Sequence, residues 1–248
     1  MNLSPQEYKF TDDDAQRIVS LGYTLIKQGT LSFTYFMVQE FPDFDLLALL
    51  EELERSFTPA THLVIHREIS FQETVPYLRI NYRNNFVAIN DALIFDREFF
   101  KVGLQIRVNH NYCVLPISER GKGLVKNVFQ TSLQQYINMG LGMILVHAGL
   151  EQGGYVWAKH GFVAIERHEV EYILDDARMK LSASEFIPVK HIFDKYYADF
   201  PQGKEFPMIL WALYAPMKVI LSGSDWHGAL DLQNPKQFRN FISYVFRQ

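Results

Sequence analysis

The sequence predicts a protein of the α/β (α+β) class. Three observations lead there. Residues 1–58 place apolar side chains at helical spacing, and residues 61–117 change to the two-residue alternation of strands. Residues 104–166 then run strand, helix, strand, helix, strand, which is an α/β unit.

In the first segment Thr11 precedes Asp12, Asp13 and Asp14. A threonine at that place caps a helix, and three carboxylates suit the positive N-terminal end of its dipole. Ile18, Leu21 and Leu25 follow at helical steps. A second helix is expected over 31–40, and Pro42 with Asp43 opens a third. Phe44, Leu47, Leu50, Leu53 and Phe57 form its apolar stripe, with Glu51, Glu52, Glu54 and Arg55 on the wet side. The whole segment reads as a helical part packed on a sheet.

Strands are expected over 62–66, 77–82 and 86–89, with Asn84-Asn85 as a tight turn between the last two. The long stretch 104–117 alternates as one strand. Ile106, Val108, His110, Tyr112 and Val114 share a face, and so long a strand calls for a bulge. A helix over 121–139 carries Leu124, Val125, Val128, Phe129, Leu133, Tyr136 and Ile137, and Gly140 closes it. Met143 to Val146 reads as a buried central strand. A short helix near 155–159 and a strand over 162–166 complete this part. Further on, helices are expected over 169–181, 186–197 and 208–214, then a turn-rich stretch over 222–231. A last helix begins at Asn234. The divisions are 1–58, 59–167 and 168–248, either as separate segments or within one compact domain.

Composition bounds the function classes. The chain has 248 residues, of which 48% are apolar, including 20 Phe and 13 Tyr. That is enough bulky side chain for a sizeable core. The single cysteine, Cys113, excludes an intrachain disulfide and any cysteine metal cluster. A formal net charge of −4 gives no basic excess for a nucleic-acid partner. No apolar run approaches the roughly 18 residues that span a bilayer, and no secretory leader precedes the acidic run. The expectation is a soluble, cytoplasmic protein that neither enters a membrane nor holds a metal. Its oligomeric state is not legible.

One turn carries chemistry. From Val114 to Val128 the chain reads V-L-P-I-S-E-R-G-K-G-L-V-K-N-V, an apolar strand, a glycine-rich turn and an amphipathic helix. Glycines leave backbone N–H groups uncovered, and at a helix N-terminus those groups form an anion site suited to phosphate or pyrophosphate. Arg120 and Lys122 add positive charge. A P-loop is excluded by spacing. A dinucleotide fingerprint is excluded because Lys126 stands where its third glycine belongs.

The turn resembles the Arg/Gln-x-x-Gly-x-Gly/Ala turn of the GNAT superfamily of N-acetyltransferases, here Arg120, Gly123 and Val125. The Gly140 helix end, the strand to Val146, the short helix and the Gly161-Phe162 pair continue the resemblance over residues 77–167. It implies a mixed, mostly antiparallel central sheet flanked by helices, with a helical N-terminal and a mixed C-terminal extension. It also implies acetyl-CoA, or another acyl-CoA, as co-substrate, with an amine-bearing acceptor that attacks the thioester directly. Val114 and Leu115 would orient the acyl carbonyl. Arg120, Gly121, Lys122, Gly123, Leu124 and Val125 would hold the pyrophosphate.

Three positions depart from the family pattern. Val125 replaces a glycine or alanine. Trp157 stands where many members carry the tyrosine that protonates the leaving thiolate. His147-Ala148-Gly149-Leu150 lacks the asparagine that often follows the strand. The candidates for proton transfer are therefore His147 at the strand end, Tyr155 near Trp157, and Glu119 in the turn; His110 is a further one. The runner-up function is a GNAT-like module that binds acyl-CoA, or assembles with other proteins, without catalysis. His62 and His66 have a spacing that chelates metal on a helix but not on a strand. Ser224-Asp225-Trp226-His227 holds triad residue types without a nucleophile frame.

Overall fold

The computed structural model describes residues 4–60, 64–86, 88–149 and 153–246. It is a mixed α/β fold in which nine strands, mostly antiparallel, accompany ten α-helices among the described residues. The chain divides into two compact units, Met1–Gly142 with Val245–Gln248, and Met143–Tyr244.

In the first unit five strands lie side by side in chain order: β1 (Thr24–Gln28), β2 (Ile65–Gln72), β3 (Tyr77–Asn84), β4 (Ile94–Val102) and β5 (Gln105–Val114). β1 runs parallel to β2, and the other pairs are antiparallel. The helices are α1 (Asp12–Ser20), α2 (Phe33–Glu40), α3 (Leu46–Phe57) and α4 (Leu124–Asn138). Alternate residues of β3 and β5 are buried, among them Leu78, Ile80, Tyr82, Ile106 and Val108. Aromatic contacts tie these strands to the helices and to the loop before α3: Phe44 to Phe99 at 5.0 Å, Phe57 to Phe95 at 6.3 Å and Phe99 to Tyr136 at 6.1 Å between ring centroids. Each such ring contributes about 1.5–3 kcal/mol through burial.

Local signals explain most element ends. Thr11 and Asp14 form the reciprocal capping box of α1, Ser32 caps α2 and Asp45 caps α3. Gly140 takes φ 62°, the left-handed geometry expected of a residue that ends a helix. The bulge expected in the long strand lies where the register shifts between Asp96 and Arg97, opposite Tyr112 and His110.

Four expectations need correction. Of the strand expected over 62–66, residues 62 and 63 lie outside the described residues, and β2 runs Ile65–Gln72. Leu25, read as part of the first helix, lies in β1. β4 was not anticipated. Over 86–89 no strand forms in the described part; Val87 lies outside it, and a single 3₁₀ turn covers Ile89–Asp91. The cause is Asn84, whose amide accepts from Leu93 N at 2.8 Å and donates to Asp91 O at 2.9 Å. That side chain closes the loop directly onto β4.

In the second unit the sheet order is β6 (Met143–His147), β9 (His227–Asp231), β7 (Val163–Ala164), β8 (Phe206–Pro207), all antiparallel. Its helices are α5 (Gly153–Lys159), α6 (Arg167–Lys180), α7 (Ala183–Asp199), α8 (Ile209–Ala212), α9 (Met217–Ser222) and α10 (Pro235–Val245). β9 occupies part of the stretch read as turn-rich. Its Gly228 is required, because a Cβ there would overlap Trp226 and press on Val146. Trp211 and Trp226 are fully buried. Trp211 donates to Val189 O at 3.2 Å and packs on Phe206 at 4.5 Å between centroids.

Candidate functional site

The glycine-rich turn of the first unit has the form the sequence implies. After Val114 the chain makes one 3₁₀ turn over Ile117–Glu119. It then passes through Gly121 at φ 78° and Gly123 at φ 80°, and enters α4. Positive φ at both positions is the conformation that favours glycine. Gly123 is the N-cap of α4 and offers no side chain to the helix N-terminus. Among the described residues no acceptor meets the N–H groups of Gly121, Gly123, Leu124 and Val125. A Cβ built on Gly121 or Gly123 meets nothing within 4 Å, so the turn is open on the Cα side at these two positions. Such a row of free donors at the positive end of a helix binds anions.

The charges around the turn are arranged less simply. Arg120 folds back and donates its Nε to Leu115 O at 3.1 Å, which braces the turn. Lys122 is held by both oxygens of Glu119, at 3.0 and 3.1 Å. Glu119, expected as a proton acceptor, thus serves as partner to Lys122. Val114 and Leu115 are nearly buried, and Val114 pairs with Ile94 in the sheet.

His110, the mid-strand candidate, is a core residue. Its Nε2 lies 2.8 Å from Tyr136 Oη, and its ring packs on Phe129 and Tyr136. Burial, then the charge of Arg97, holds it well below the ordinary histidine range. Arg97 is itself fully buried, donates Nη1 to the carbonyls of Asp96 and Tyr112, and lies 4.2 Å over the Phe95 ring.

In the second unit His147 has company that sequence reasoning missed. It stands directly opposite His227 across β6 and β9. Ala148 N donates to Trp226 O at 2.8 Å, so the neighbouring His147–His227 pair is a non-hydrogen-bonded one. That is where cross-strand side chains come closest. The two imidazoles stack at 4.4 Å with planes 1° apart. Each has a carboxylate: His147 Nε2 lies 2.5 Å from Asp225 Oδ1, and His227 Nδ1 lies 2.7 Å from Glu169 Oε1. Glu169 Oε2 also accepts from His227 N at 2.7 Å. Both imidazoles are about half exposed, Asp225 is exposed, and Glu169 is largely covered. The Asp225-x-His227 alternation was the available signal. It was read only as a failed hydrolase triad, because β9 was not recognised as a strand.

Tyr155 on α5 lies between Lys159 and Lys218, whose Nζ atoms stand 5.6 and 5.8 Å from its ring centroid. Trp157, half-buried, packs edge-on against His160 and Phe162 at 5.7 and 5.0 Å. Gly154 is covered by the Leu221 carbonyl and Ser224, so that glycine serves helix packing. His62 lies outside the described residues, and His66 Nε2 lies 2.8 Å from Asn85 Oδ1. Among the described residues no three His, Cys, Asp or Glu side chains converge as a metal site, and no helix is long and apolar enough to cross a membrane.

No family model matches the chain, and neither a curated protein nor a solved structure matches it.

Proposed function

We propose that the turn from Arg120 to Val125 seats the pyrophosphate of a CoA thioester, and that the chain is an acyl-CoA-dependent N-acyltransferase. The acyl group is most simply acetyl, and the acceptor a primary amine. The observation that carries the reading is the set of amides without acceptors, Gly121, Gly123, Leu124 and Val125, at the N-terminus of α4. Four donors and the helix dipole suit two linked phosphates better than one isolated charge. In the reaction the amine nitrogen forms a bond to the thioester carbonyl carbon. The C–S bond breaks, CoA leaves as thiolate and takes up a proton, and the amine gives one up.

A second reading has its own support. Trp157 stands where the resemblance expects an acidic tyrosine, and its indole, packed against His160 and Phe162, gives up no proton at neutral pH. A module that binds CoA without transferring the acyl group fits that arrangement.

Thermal unfolding with CoA and acetyl-CoA, together with thiol release from acetyl-CoA across an amine panel, tests both. Binding to the folded chain at a hundred times Kd stabilises it by about 2.7 kcal/mol, a clear rise in Tm. Gly123→Trp sets a bulky side chain on the turn at a positive φ and should abolish that rise. If neither compound shifts Tm at millimolar concentration, both readings fail. Binding without thiol release selects the second.

A further inference from the structure

Arg97 is fully buried in the first unit, and its charge is not neutralised there. Nη1 donates to the carbonyls of Asp96 and Tyr112, both at 2.8 Å, but Nε and Nη2 meet no acceptor among the described residues. Asp96, its neighbour on β4, gives both carboxylate oxygens to Arg79. An unpaired buried charge is costly, so its presence calls for something that offsets it. The side chain points along the sheet toward the glycine-rich turn. Arg97 stands opposite His110, yet its guanidinium reaches Tyr112 O and lies 4.2 Å over the Phe95 ring. Both are two residues nearer the strand ends from which the turn departs. Beyond them is Phe129 of α4, with its ring centroid 5.9 Å from the guanidinium. Long helical side chains lean toward the helix N-terminus, which brings that ring under the first turn of α4. The guanidinium is thus roughly 10 Å from the free amides, with protein between them. Neighbouring groups feel the charge. Burial pushes the Cys113 thiol up and the Tyr136 hydroxyl up to about 12, and Arg97 opposes burial in both. At the turn itself, Lys122 is held by Glu119 and Arg120 is folded onto Leu115 O.

We propose that Arg97 is the buried counter-charge of the anion seated at the turn, and that its field makes the seat select ligands by their negative charge. The inference rests on the reading of the turn as a pyrophosphate seat. Arg97 does not touch the ligand. It acts across the protein interior, where a charge is screened far less than in water. Bridging two carbonyls at the β4–β5 bulge is a structural task of the same side chain, and the test separates the two roles.

The test is calorimetric titration of the full chain with CoA, inorganic pyrophosphate and inorganic phosphate. Arg97→Gln keeps a donor for the bulge carbonyls and removes the charge. It should weaken CoA and pyrophosphate roughly 5–10-fold and the less charged phosphate only about 2–3-fold. Arg97→Lys keeps the charge and loses the planar fork, and it should bind pyrophosphate within about twofold of the wild type. A purely structural role predicts the opposite for lysine, and equal losses for both phosphates in Arg97→Gln. Either result overturns the inference, as does wild-type affinity in Arg97→Gln. Should Arg97→Gln fail to fold, Arg97→Lys decides alone: retained affinity supports the inference and lost affinity overturns it. If the wild type binds neither CoA nor pyrophosphate, the seat and this inference fall together.

Discussion

Gly154 on α5 lies directly against the main-chain carbonyl of Leu221 near the end of α9, and a single added methyl would overlap that oxygen and the Ser224 hydroxyl. Neither neighbour yields easily, since one is backbone and Ser224 Oγ donates to the same Leu221 carbonyl at 2.8 Å. Gly154→Ala should therefore destabilise the second unit by about 1–3 kcal/mol, the usual cost of overpacking a filled site. Urea unfolding measures this. An unchanged midpoint would mean that α5 and α9 can part without cost.

Acid should destabilise the fold through two buried histidines. Burial, then Lys159, holds His160 down at about 3, and His110 is also held well below the ordinary range. The unfolded chain binds protons at these residues near pH 6.5 while the folded chain does not, so stability is lost as pH falls below that value. The loss continues toward pH 3 for His160 and reaches at most about 1.4 kcal/mol per pH unit for each histidine. Urea midpoints at pH 7.5 and 5.0 check the sign. His160→Phe should flatten the slope.

The first unit's sheet contains a half-buried ion pair whose loss should be felt. Arg79 donates Nε and Nη2 to the two oxygens of Asp96 at 3.0 and 2.6 Å, and Asp96 is nearly buried. Asp96→Asn leaves the guanidinium facing an amide. The expected cost is about 1–3 kcal/mol, below that of a fully buried pair because Arg79 is a third exposed. A double-mutant cycle with Arg79→Met should show coupling, and additive losses would deny the pair a role.

At the glycine-rich turn, Glu119 competes with any incoming phosphate for Lys122. Glu119→Gln releases that ammonium. CoA should then bind about three- to fivefold more tightly at low salt, with the gain fading as ionic strength rises. Calorimetric titration at two salt concentrations reads it, and weaker binding would make Glu119 a positive contributor to the seat.

Legibility in the sequence followed the range of the interaction. α4 and its two glycine boundaries were readable because the determinants lie within the helix and its flanks. α1 was readable from Thr11 and three aspartates. β1 was not, because Thr24 to Gln28 is short, and its strand geometry comes from pairing with β2. β9 was hidden for the same reason: His227-Gly228-Ala229-Leu230-Asp231 has little strand character until β6 and β7 flank it. The anion-binding turn was legible as a local motif. The His147–His227 stack was not, because register between distant strands creates it.

The order of strands in the second unit has a consequence for how it is made. β9 comes last of the four along the chain yet lies between β6 and β7. β7 pairs only with β8 and β9, and β6 has its partner in this unit in β9. During synthesis β6 and the β7–β8 pair therefore wait, each with the edge that β9 will fill still open, until residue 231 has emerged. Such non-local closure is slow and leaves strand edges exposed to other chains. The second unit is thus the part expected to depend most on dilution, low temperature or chaperone protection while it folds.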